Sequence, residues 1–299
     1  MRRLVVLAAV TTLLVASTAP ARALLGVPNP APLTFIKSLR PAYEDVERPP
    51  KKANRWDCRP SAAHPRAVVL VHGTAGNMST NWAALSPALA DAGYCVFALN
   101  YGGPPKNDYL YGFGRIEESA KQLGAFVDKV LAATHTTSVD IVGHSQGGMM
   151  PRWYMKFGGG SPKVHTLVGL APSNHGTRLG NRPGEPPADP SPDAYCPACT
   201  QQMRGSRFLH ELNAGGDTLP GVNYTVIETR WDQVVVPYTS AFLRGPNVSN
   251  ILLQHVCVLD RSDHLNVVYS PVVIGLVKNA LDPTHAKAVP CVVVLPGVS

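Results

Sequence analysis

The sequence predicts an α/β protein with a mostly parallel central sheet and helices on both of its faces. Short β-branched runs alternate along the chain with longer amphipathic segments, a pattern typical of such sheets. The first run, Ala67–Val71, is apolar throughout and leads into His-Gly, as expected of a buried parallel strand that ends in a loop. Ligands of these proteins bind beyond the carboxyl ends of the strands, so functional residues are expected there.

The other elements follow in chain order. Further strands are predicted at 94–100, 139–142, 164–170, 222–228 and 251–258, and helices at 81–92, 116–133, 149–157 and 271–281. A polar, proline-rich stretch interrupts the pattern between about 173 and 220. Because it is too polar to form core, we expect it to lie on the surface as an insertion in a single domain of residues 24–299.

Residues 1–23 have the features of a secretory signal peptide. Arg2 and Arg3 precede an apolar run, and the segment ends in Ala-Arg-Ala. The run is shorter than the roughly 20 residues that a spanning helix needs, and no later run reaches that length. We therefore predict a secreted protein that starts near Leu24 and has no stable membrane anchor.

The charge of the chain argues against a nucleic-acid partner. The sequence has 27 Lys and Arg against 20 Asp and Glu, and three of the arginines belong to the predicted signal peptide. The remaining excess of positive charge is small, and no cluster of basic residues forms a phosphate-binding face. The protein is expected to be a monomer.

Six cysteines in an exported chain indicate disulfides, and 15 pairings are possible. Cys58 and Cys95 lie at neighbouring strands, so we expect them to pair. Cys257 and the tail residue Cys291 are expected to meet at the far edge of the sheet, which leaves Cys196 and Cys199 to close a small loop. A metal is not expected, because this CxxC has no partner pair at zinc spacing and no carboxylate cluster resembles a calcium loop. No cofactor is predicted.

A Gly-x-Ser-x-Gly motif provides the candidate nucleophile. The predicted strand 139–142 runs into Gly143-His144-Ser145-Gln146-Gly147, and a predicted helix follows. Glycine is needed on both sides because the turn that exposes the serine hydroxyl is too tight for a Cβ. The bare motif occurs often by chance, but the strand before it and the helix after it are independent requirements. We predict Ser145 as the nucleophile of an α/β-hydrolase fold.

The acid and the base should follow the serine in the order acid, then histidine. Asp232 lies after the predicted strand 222–228, and His264 lies after the predicted strand 251–258, so these two are chosen. Other candidates fit the order or the position less well: Asp260, Asp263, Asp189, Asp193, Asp217, His255, His285 and His210. Structural roles are expected for His72, His144 and His175.

Two positions are expected to form the oxyanion hole. One backbone N–H comes from Gln146, after the nucleophile, and one from Thr74, in the loop after the first strand; the Thr74 hydroxyl can add a third hydrogen bond. An acyl slot is predicted to use residues that follow the strands and the serine: Tyr109, Leu110, Met149 and Val234. For Met149, a place in the core is equally compatible with the sequence.

Four segments carry a resemblance to a known family: GHSQGG, HGTAGN, LVGLAPSNHGT and TRWDQVVVP. The chain from about Pro28 to Cys291 resembles the secreted actinobacterial lipases of lipase class 2 and, more distantly, lipase B of the yeast Candida antarctica. The resemblance implies that Thr74 and Gln146 form the oxyanion hole and that Asp232 is the acid. The yeast enzyme lacks the proline-rich insertion, so its open entrance is not carried over.

The sequence therefore predicts a secreted serine ester hydrolase, with a lipase that acts on triacylglycerol or other carboxylic esters at a lipid interface as the leading hypothesis. A cutinase-like polyesterase would use the same residues and remains the alternative. A non-catalytic binding protein on this fold would normally lack one of the motif residues, and all of them are present.

Overall fold

In a computed structural model of the chain, the residues described are 45–103, 109–178 and 195–296. The chain divides into a short unit, Met1–Ala31, and a compact unit, Pro32–Ser299, which contains all of these residues. The predicted signal peptide and the proline-rich centre of the predicted insertion, 179–194, lie outside the described residues.

A six-stranded parallel sheet forms the centre of the described structure and confirms the predicted fold class. The strands are β1 Ala67–Val71, β2 Val96–Leu99, β3 Val139–His144, β4 Val164–Leu170, β5 Asn223–Glu228 and β6 Val248–Leu252. They lie side by side in the order β2-β1-β3-β4-β5-β6, and every neighbouring pair is parallel. The chain thus reverses its direction of travel across the sheet between β1 and β3, where ligand sites of open α/β sheets form.

Eight α-helices are described: α1 Met78–Asn81, α2 Leu85–Ala90, α3 Ile116–Thr134, α4 Gln146–Phe157, α5 Pro197–Gln201, α6 Arg207–Asn213, α7 Leu253–Val256 and α8 Pro271–Leu281. The longest, α3, buries apolar residues at helical spacing and carries Glu117 and Glu118 in its first turn, where the helix dipole favours negative charge. Helix α8 begins at Pro271, and the Ser270 hydroxyl caps its first N–H groups. No helix in the described ranges is long and apolar enough to cross a membrane.

The sheet separates two hydrophobic cores. Because side chains alternate along a strand, Val69 of β1 faces one core while Val68 and Leu70 face the other. The first core contains the buried faces of α3 and α4, and the second contains those of α2 and α8. Strands β1 and β2 are buried on both faces, which explains their continuous apolar sequences, whereas the edge strand β6 is partly exposed.

Two predicted elements differ from the structure in type or number, while others, such as the helix predicted at 149–157, differ only in their ends. The helix predicted at 81–92 is two short helices, α1 and α2. The strand predicted at 251–258 is wrong, because β6 ends at Leu252 and the chain continues into α7, where Leu253 packs into the second core. A short apolar run fits a strand and a buried helical turn equally well, so periodicity did not separate the two.

The second half of the predicted insertion lies only partly on the surface, which corrects the expectation that the insertion is too polar to form core. Helices α5 and α6 bury Ala198, Phe208, Leu209 and Leu212 in the first core. The prolines and charges that suggested a surface position are concentrated before Tyr195, whereas the apolar residues that follow have helical spacing. The segment 195–206 thereby reaches the carboxyl edge of the sheet.

Candidate active site

The turn between β3 and α4 presents Ser145. Its backbone angles, φ 54° and ψ −123°, lie in a region that residues with a side chain seldom adopt. The flanking glycines make the turn possible, since a Cβ on Gly143 would lie 1.8 Å from the Gly147 carbonyl oxygen and one on Gly147 would lie 2.1 Å from that of Val71. The predicted strand, turn and helix are therefore present, and Ser145 sits at the first turn of α4.

A second pair of predicted residues is joined by a short hydrogen bond. His264 Nδ1 lies 2.7 Å from Asp232 Oδ2, and both side chains are buried. The other carboxylate oxygen accepts the N–H groups of Val234 and Val235, each at 2.7 Å. Since Nδ1 donates to the carboxylate, the neutral imidazole leaves Nε2 unprotonated and able to accept a proton.

The surroundings of Asp232 keep it ionised. Burial alone would raise the pKa of its carboxyl group, but the hydrogen bond and charge of His264 and the two backbone N–H groups together lower that pKa below its usual range. Gln233 also contributes, because its side-chain oxygen accepts the backbone N–H of His264 at 3.1 Å. The acid and the loop that carries the histidine are thus fixed to each other.

His144 holds the His264 loop from below. Its Nε2 lies 2.9 Å from the His264 carbonyl oxygen, and its Nδ1 lies 2.9 Å from Asn81 Oδ1. Burial lowers the pKa of His144 to about 3, so the ring is neutral and carries one N–H. With Nε2 donating to the carbonyl, Nδ1 must accept, and an Asn81 amide turned by 180° would donate to it. This agrees with the structural role predicted for His144.

The predicted oxyanion residues Thr74 and Gln146 belong to a chain of hydrogen bonds that also includes Gln202, which the sequence did not indicate. The Thr74 hydroxyl donates to Gln146 Oε1 at 3.0 Å and accepts from Gln202 Nε2 at 2.8 Å. Gln202 Oε1 in turn accepts from the Ser173 hydroxyl at 2.9 Å. Gln202 follows α5, 128 positions after Thr74, and no local pattern indicated that it would reach the site.

A cavity of about 470 Å³ contains Ser145, His264 and Thr74 in its wall. The Ser145 hydroxyl and the His264 imidazole are not hydrogen-bonded to each other among the described contacts. In enzymes without substrate, such hydrogen bonds are often long and tighten only when the substrate binds. Most of the remaining wall is apolar and includes Ala75, Met203, Val234, Leu265 and Val268. The arrangement places Ser145, the predicted nucleophile, at one side of a hydrophobic pocket.

Of the four predicted pocket residues, Val234 lines this cavity and the others do not. Met149 is fully buried in the first core, so the prediction that it lines the slot is wrong and its alternative, a core position, is the correct one. Leu110 packs against the same core, and Tyr109 is exposed and is not among the residues of the wall. Residues that follow a strand or a serine turn can point into the core as readily as into a cleft.

A buried carboxyl group that the sequence did not indicate lies beside the acid. Glu228, at the end of β5, has no exposed surface, and one of its oxygens accepts the N–H of Thr229 at 2.7 Å. Burial, followed by the charge of Asp232, raises the pKa of Glu228 well above its usual range. The same surroundings therefore act on the two carboxyl groups in opposite directions, since the pKa of Glu228 is raised and that of Asp232 is lowered.

The carboxylates rejected from the sequence have other partners. Asp260 is buried and accepts from Ser262 and Ser270, and Asp263 accepts the N–H groups of the two residues that follow His264. Asp217 pairs with Arg152 and His175. Asp189 and Asp193 lie outside the described residues.

The remaining histidines lie outside the cavity wall. His175 bonds to Asp217 and to the Ser240 carbonyl oxygen, as befits the structural role predicted for it. His72 is buried with Nδ1 2.8 Å from the Gly73 carbonyl oxygen. His255 is exposed on α7 and does not belong to a strand, and His285 pairs with Asp282 in the tail.

Three disulfides join the pairs expected from the sequence: Cys58–Cys95, Cys196–Cys199 and Cys257–Cys291, with Cα separations of 5.8, 5.3 and 5.0 Å. The last one ties the chain just after α7 to the tail, although Cys257 does not end a strand as predicted. Cys199 also lines the cavity. In the described ranges, no group of three or more His, Cys, Asp or Glu side chains is arranged to hold a metal ion.

Two curated sequences share part of the chain. A triacylglycerol lipase of Pseudarthrobacter phenanthrenivorans is 38% identical over 91 residues, which is 29% of this chain and 27% of that protein. A triacylglycerol lipase of Burkholderia plantarii is also 38% identical over 91 residues, 29% of this chain and 24% of its own length. The matches therefore span only about a quarter of these relatives.

Solved structures share the fold. Lipase B of Aspergillus fumigatus superposes with a TM-score of 0.62 and 22% identity over 82% of this chain and 66% of its own. Lipase BlEst2 of Bacillus licheniformis, in its mature form, has a TM-score of 0.56 and 15% identity over 79% of this chain and 96% of its own. At such identities the likeness establishes the α/β-hydrolase fold. The model of the family Lipase (class 2) matches residues 65–276, more than half of the sequence, and the chain belongs to this family.

Proposed function

We propose that the protein is a secreted serine ester hydrolase, and specifically a lipase, with Ser145, His264 and Asp232 as its catalytic triad. The observation that carries the proposal is the 2.7 Å bond between Asp232 and His264 beside a strained serine turn, with serine and histidine in the wall of one apolar cavity. The family and the triacylglycerol lipases that share part of the sequence support the substrate class.

In the proposed mechanism, His264 Nε2 takes the proton from the Ser145 hydroxyl while its oxygen attacks the ester carbonyl carbon. Asp232 holds the imidazole with Nδ1–H toward the carboxylate and stabilises the positive charge that the ring acquires. The protonated ring then gives its proton to the leaving alcohol, and an acyl-enzyme remains on Ser145. Water, deprotonated by the same histidine, releases the carboxylic acid.

The negative oxygen of the tetrahedral intermediate would accept the backbone N–H groups of Gln146 and Thr74. Helix α4 begins at Gln146, so its dipole also favours negative charge at this place. The Thr74 hydroxyl, which donates to Gln146 Oε1 in the free enzyme, could turn toward the oxyanion. Because Gln202 donates to the Thr74 oxygen, the hydroxyl acts toward its other partner as a donor, to Gln146 Oε1 in the free enzyme and to the oxyanion after such a turn.

The cavity supports an apolar acyl group. Its volume of about 470 Å³ lies in the range of small-molecule sites, and aliphatic side chains form much of its wall. Secretion is supported by three disulfides, which persist in oxidising compartments, and by the character of residues 1–23.

The proposal is tested with p-nitrophenyl esters from acetate to palmitate, a triglyceride emulsion and a solid polyester. A lipase hydrolyses the longer esters and the emulsion, and a fluorophosphonate probe labels Ser145, as peptide mass spectrometry would show. Faster release from the solid polyester than from the emulsion would instead indicate a polyesterase. No turnover of any ester, with no labelling of Ser145, would refute the proposed function.

A further inference from the structure

A group of exposed aliphatic side chains lies on two chain segments that a disulfide joins. The segments are 256–261 and 291–295, tied by Cys257–Cys291. Val258 and Val293 are the most exposed, at 73% and 61%. We refer to the whole group as the C-terminal rim, which consists of Val256, Val258, Leu259, Leu265, Val293 and Leu295. Single exposed aliphatic residues need no explanation, but a contiguous group of this size does.

Backbone pairing fixes the outward direction of these side chains. Asp260 and Val294 form a parallel bridge, in which the Val294 N–H lies 3.3 Å from the Leu259 carbonyl oxygen and the Arg261 N–H donates to the Val294 carbonyl oxygen at 2.9 Å. Because side chains alternate along extended chains, the bridge partners point inward and are buried. Their neighbours Leu259, Arg261 and Val293 consequently point to solvent, as does Leu295.

The C-terminal rim is continuous with the cavity. Leu265 follows the candidate base His264, lines the cavity and is also exposed. The side-chain amide of Asn266 donates to the Leu295 carbonyl oxygen at 3.2 Å, so the tail is held directly against the loop that carries the histidine. A surface seated on the rim would therefore meet the mouth of the cavity.

Positive charge lies next to the exposed aliphatic residues. Arg261 is exposed between them, and the exposed Arg230 and Trp231 adjoin the rim through Gln254, whose side chain bonds to the Arg230 N–H and the Asp260 carbonyl oxygen. The nearby carboxylate of Asp263 is partly buried and accepts two backbone N–H groups. The combination of aliphatic and cationic groups matches the acyl chains and phosphates of a lipid surface.

We propose that the C-terminal rim docks the protein on a phospholipid surface, with the aliphatic side chains among the lipid tails and Arg261 and Arg230 at the phosphates. This inference rests on the proposed ester hydrolase function, to which it adds the surface that brings the cavity to its substrate. The disulfide keeps the tail in place, so the docking surface is preformed and binding orders little additional chain.

Docking is tested without turnover by placing every variant in the Ser145→Ala chain. Partitioning of the protein onto lipid is measured by sedimentation with two kinds of vesicle, one of phosphatidylcholine alone and one in which about a third of the lipid is the anionic phosphatidylglycerol. The double change Val258→Asp and Val293→Asp should lower partitioning into both vesicles at least about tenfold, because two charges would enter the acyl region. Arg261→Gln should lower it about fivefold in the anionic vesicles alone. Phe157→Asp, at an exposed aromatic residue at the other end of α4, should change neither.

Several outcomes would overturn the proposal: partitioning unchanged by the double change, or an equal loss with Phe157→Asp. A concentration-dependent dimer in analytical ultracentrifugation that the double change abolishes, with no vesicle binding, would assign the rim to a second copy of the chain. If the double variant does not fold, Val293→Asp near the chain end replaces it. Vesicle binding by Ser145→Ala is independent of ester turnover, so failure of docking and failure of the proposed chemistry give different results.

Discussion

The turn that carries Ser145 and the segment 195–206 border the same cavity, but backbone crowding fixes the first and side-chain contacts fix the second. The turn is fixed by its backbone, because the carbonyl oxygens of Gly147 and Val71 occupy the places where a Cβ on Gly143 or Gly147 would lie. The segment reaches the cavity through the side chains of Gln202 and Met203. Backbone crowding leaves glycines at fixed spacing in the sequence, whereas a side-chain contact over 128 positions leaves no local pattern.

The largest effect is expected at the turn. Ser145→Ala should lower kcat/KM for a soluble p-nitrophenyl ester by at least about 10⁴, because no acyl-enzyme can form. Alanine is smaller than serine and is strained to the same degree by the backbone angles of the turn, so the melting temperature should stay within a few degrees. Turnover within about tenfold of the wild type would refute Ser145 as the nucleophile.

The next effect concerns Asp232, whose carboxylate is held by two backbone N–H groups and by the His264 side chain. Asp232→Asn should reduce kcat by about 10⁴, because an amide favours the wrong imidazole tautomer. Asp263→Asn is the matched control on the neighbouring loop, where the carboxylate caps backbone N–H groups, and it should cost less than about tenfold. A reversed order of the two losses would show that the acid is misassigned.

The contrast between local backbone features and side-chain contacts over long distances in sequence also explains which elements the sequence could predict. Strands β1 and β4 and helix α8 have the predicted bounds, because buried parallel strands and a Ser-Pro helix start are local features. The region after β6 was wrongly predicted to be a strand. The apolar run that continues into α7 is short enough to fit the spacing of a strand and that of a helix equally well.

For the candidate site, the order of the residues and their positions after strands predicted Ser145, Asp232 and His264, and the structure joins Asp232 to His264 and places Ser145 and His264 in one cavity wall. The pocket wall was not predictable in that way. Met149 follows the nucleophile closely yet points into the core, and Met203 is distant in sequence yet lines the cavity. The disulfides were predictable because neighbouring strands and a packed tail bring the cysteines within bonding reach.

The third prediction compares Thr74, which is bonded to Gln146 at the turn, with Gln202 of the segment 195–206. Thr74→Val removes a hydroxyl beside the proposed oxyanion and should lower kcat about a hundredfold. Gln202→Leu leaves the hydroxyl but removes the bond that orients it, so kcat should fall only about tenfold, with little change in KM. The double variant should be no worse than Thr74→Val alone, because Gln202 acts through Thr74. Additive losses in a double-mutant cycle would contradict that dependence.

The smallest effect on activity is expected at Glu228, the buried carboxyl group beside Asp232. Its pKa is raised in the folded protein, so the stability that it contributes is present below the unfolded value near 4.5 and is lost as the pH rises toward the folded value. Asp232 has the opposite sign, since its pKa is lowered and its contribution is lost as the pH falls below about 4. The two groups therefore affect different pH ranges.

Glu228→Gln keeps an acceptor for the Thr229 N–H, but its amide does not titrate. The free energy of unfolding is measured by urea titration between pH 5 and pH 8. As the pH rises, the value for the wild type should decrease relative to that for Glu228→Gln, by up to about 1.4 kcal/mol per pH unit. Turnover at pH 7 should change less than about threefold, because Asp232 and His264 keep their bond. Glu118→Gln, on the exposed side of α3, is the control and should follow the wild type. If Glu228→Gln and Glu118→Gln show the same pH dependence, Glu228 does not carry the additional proton.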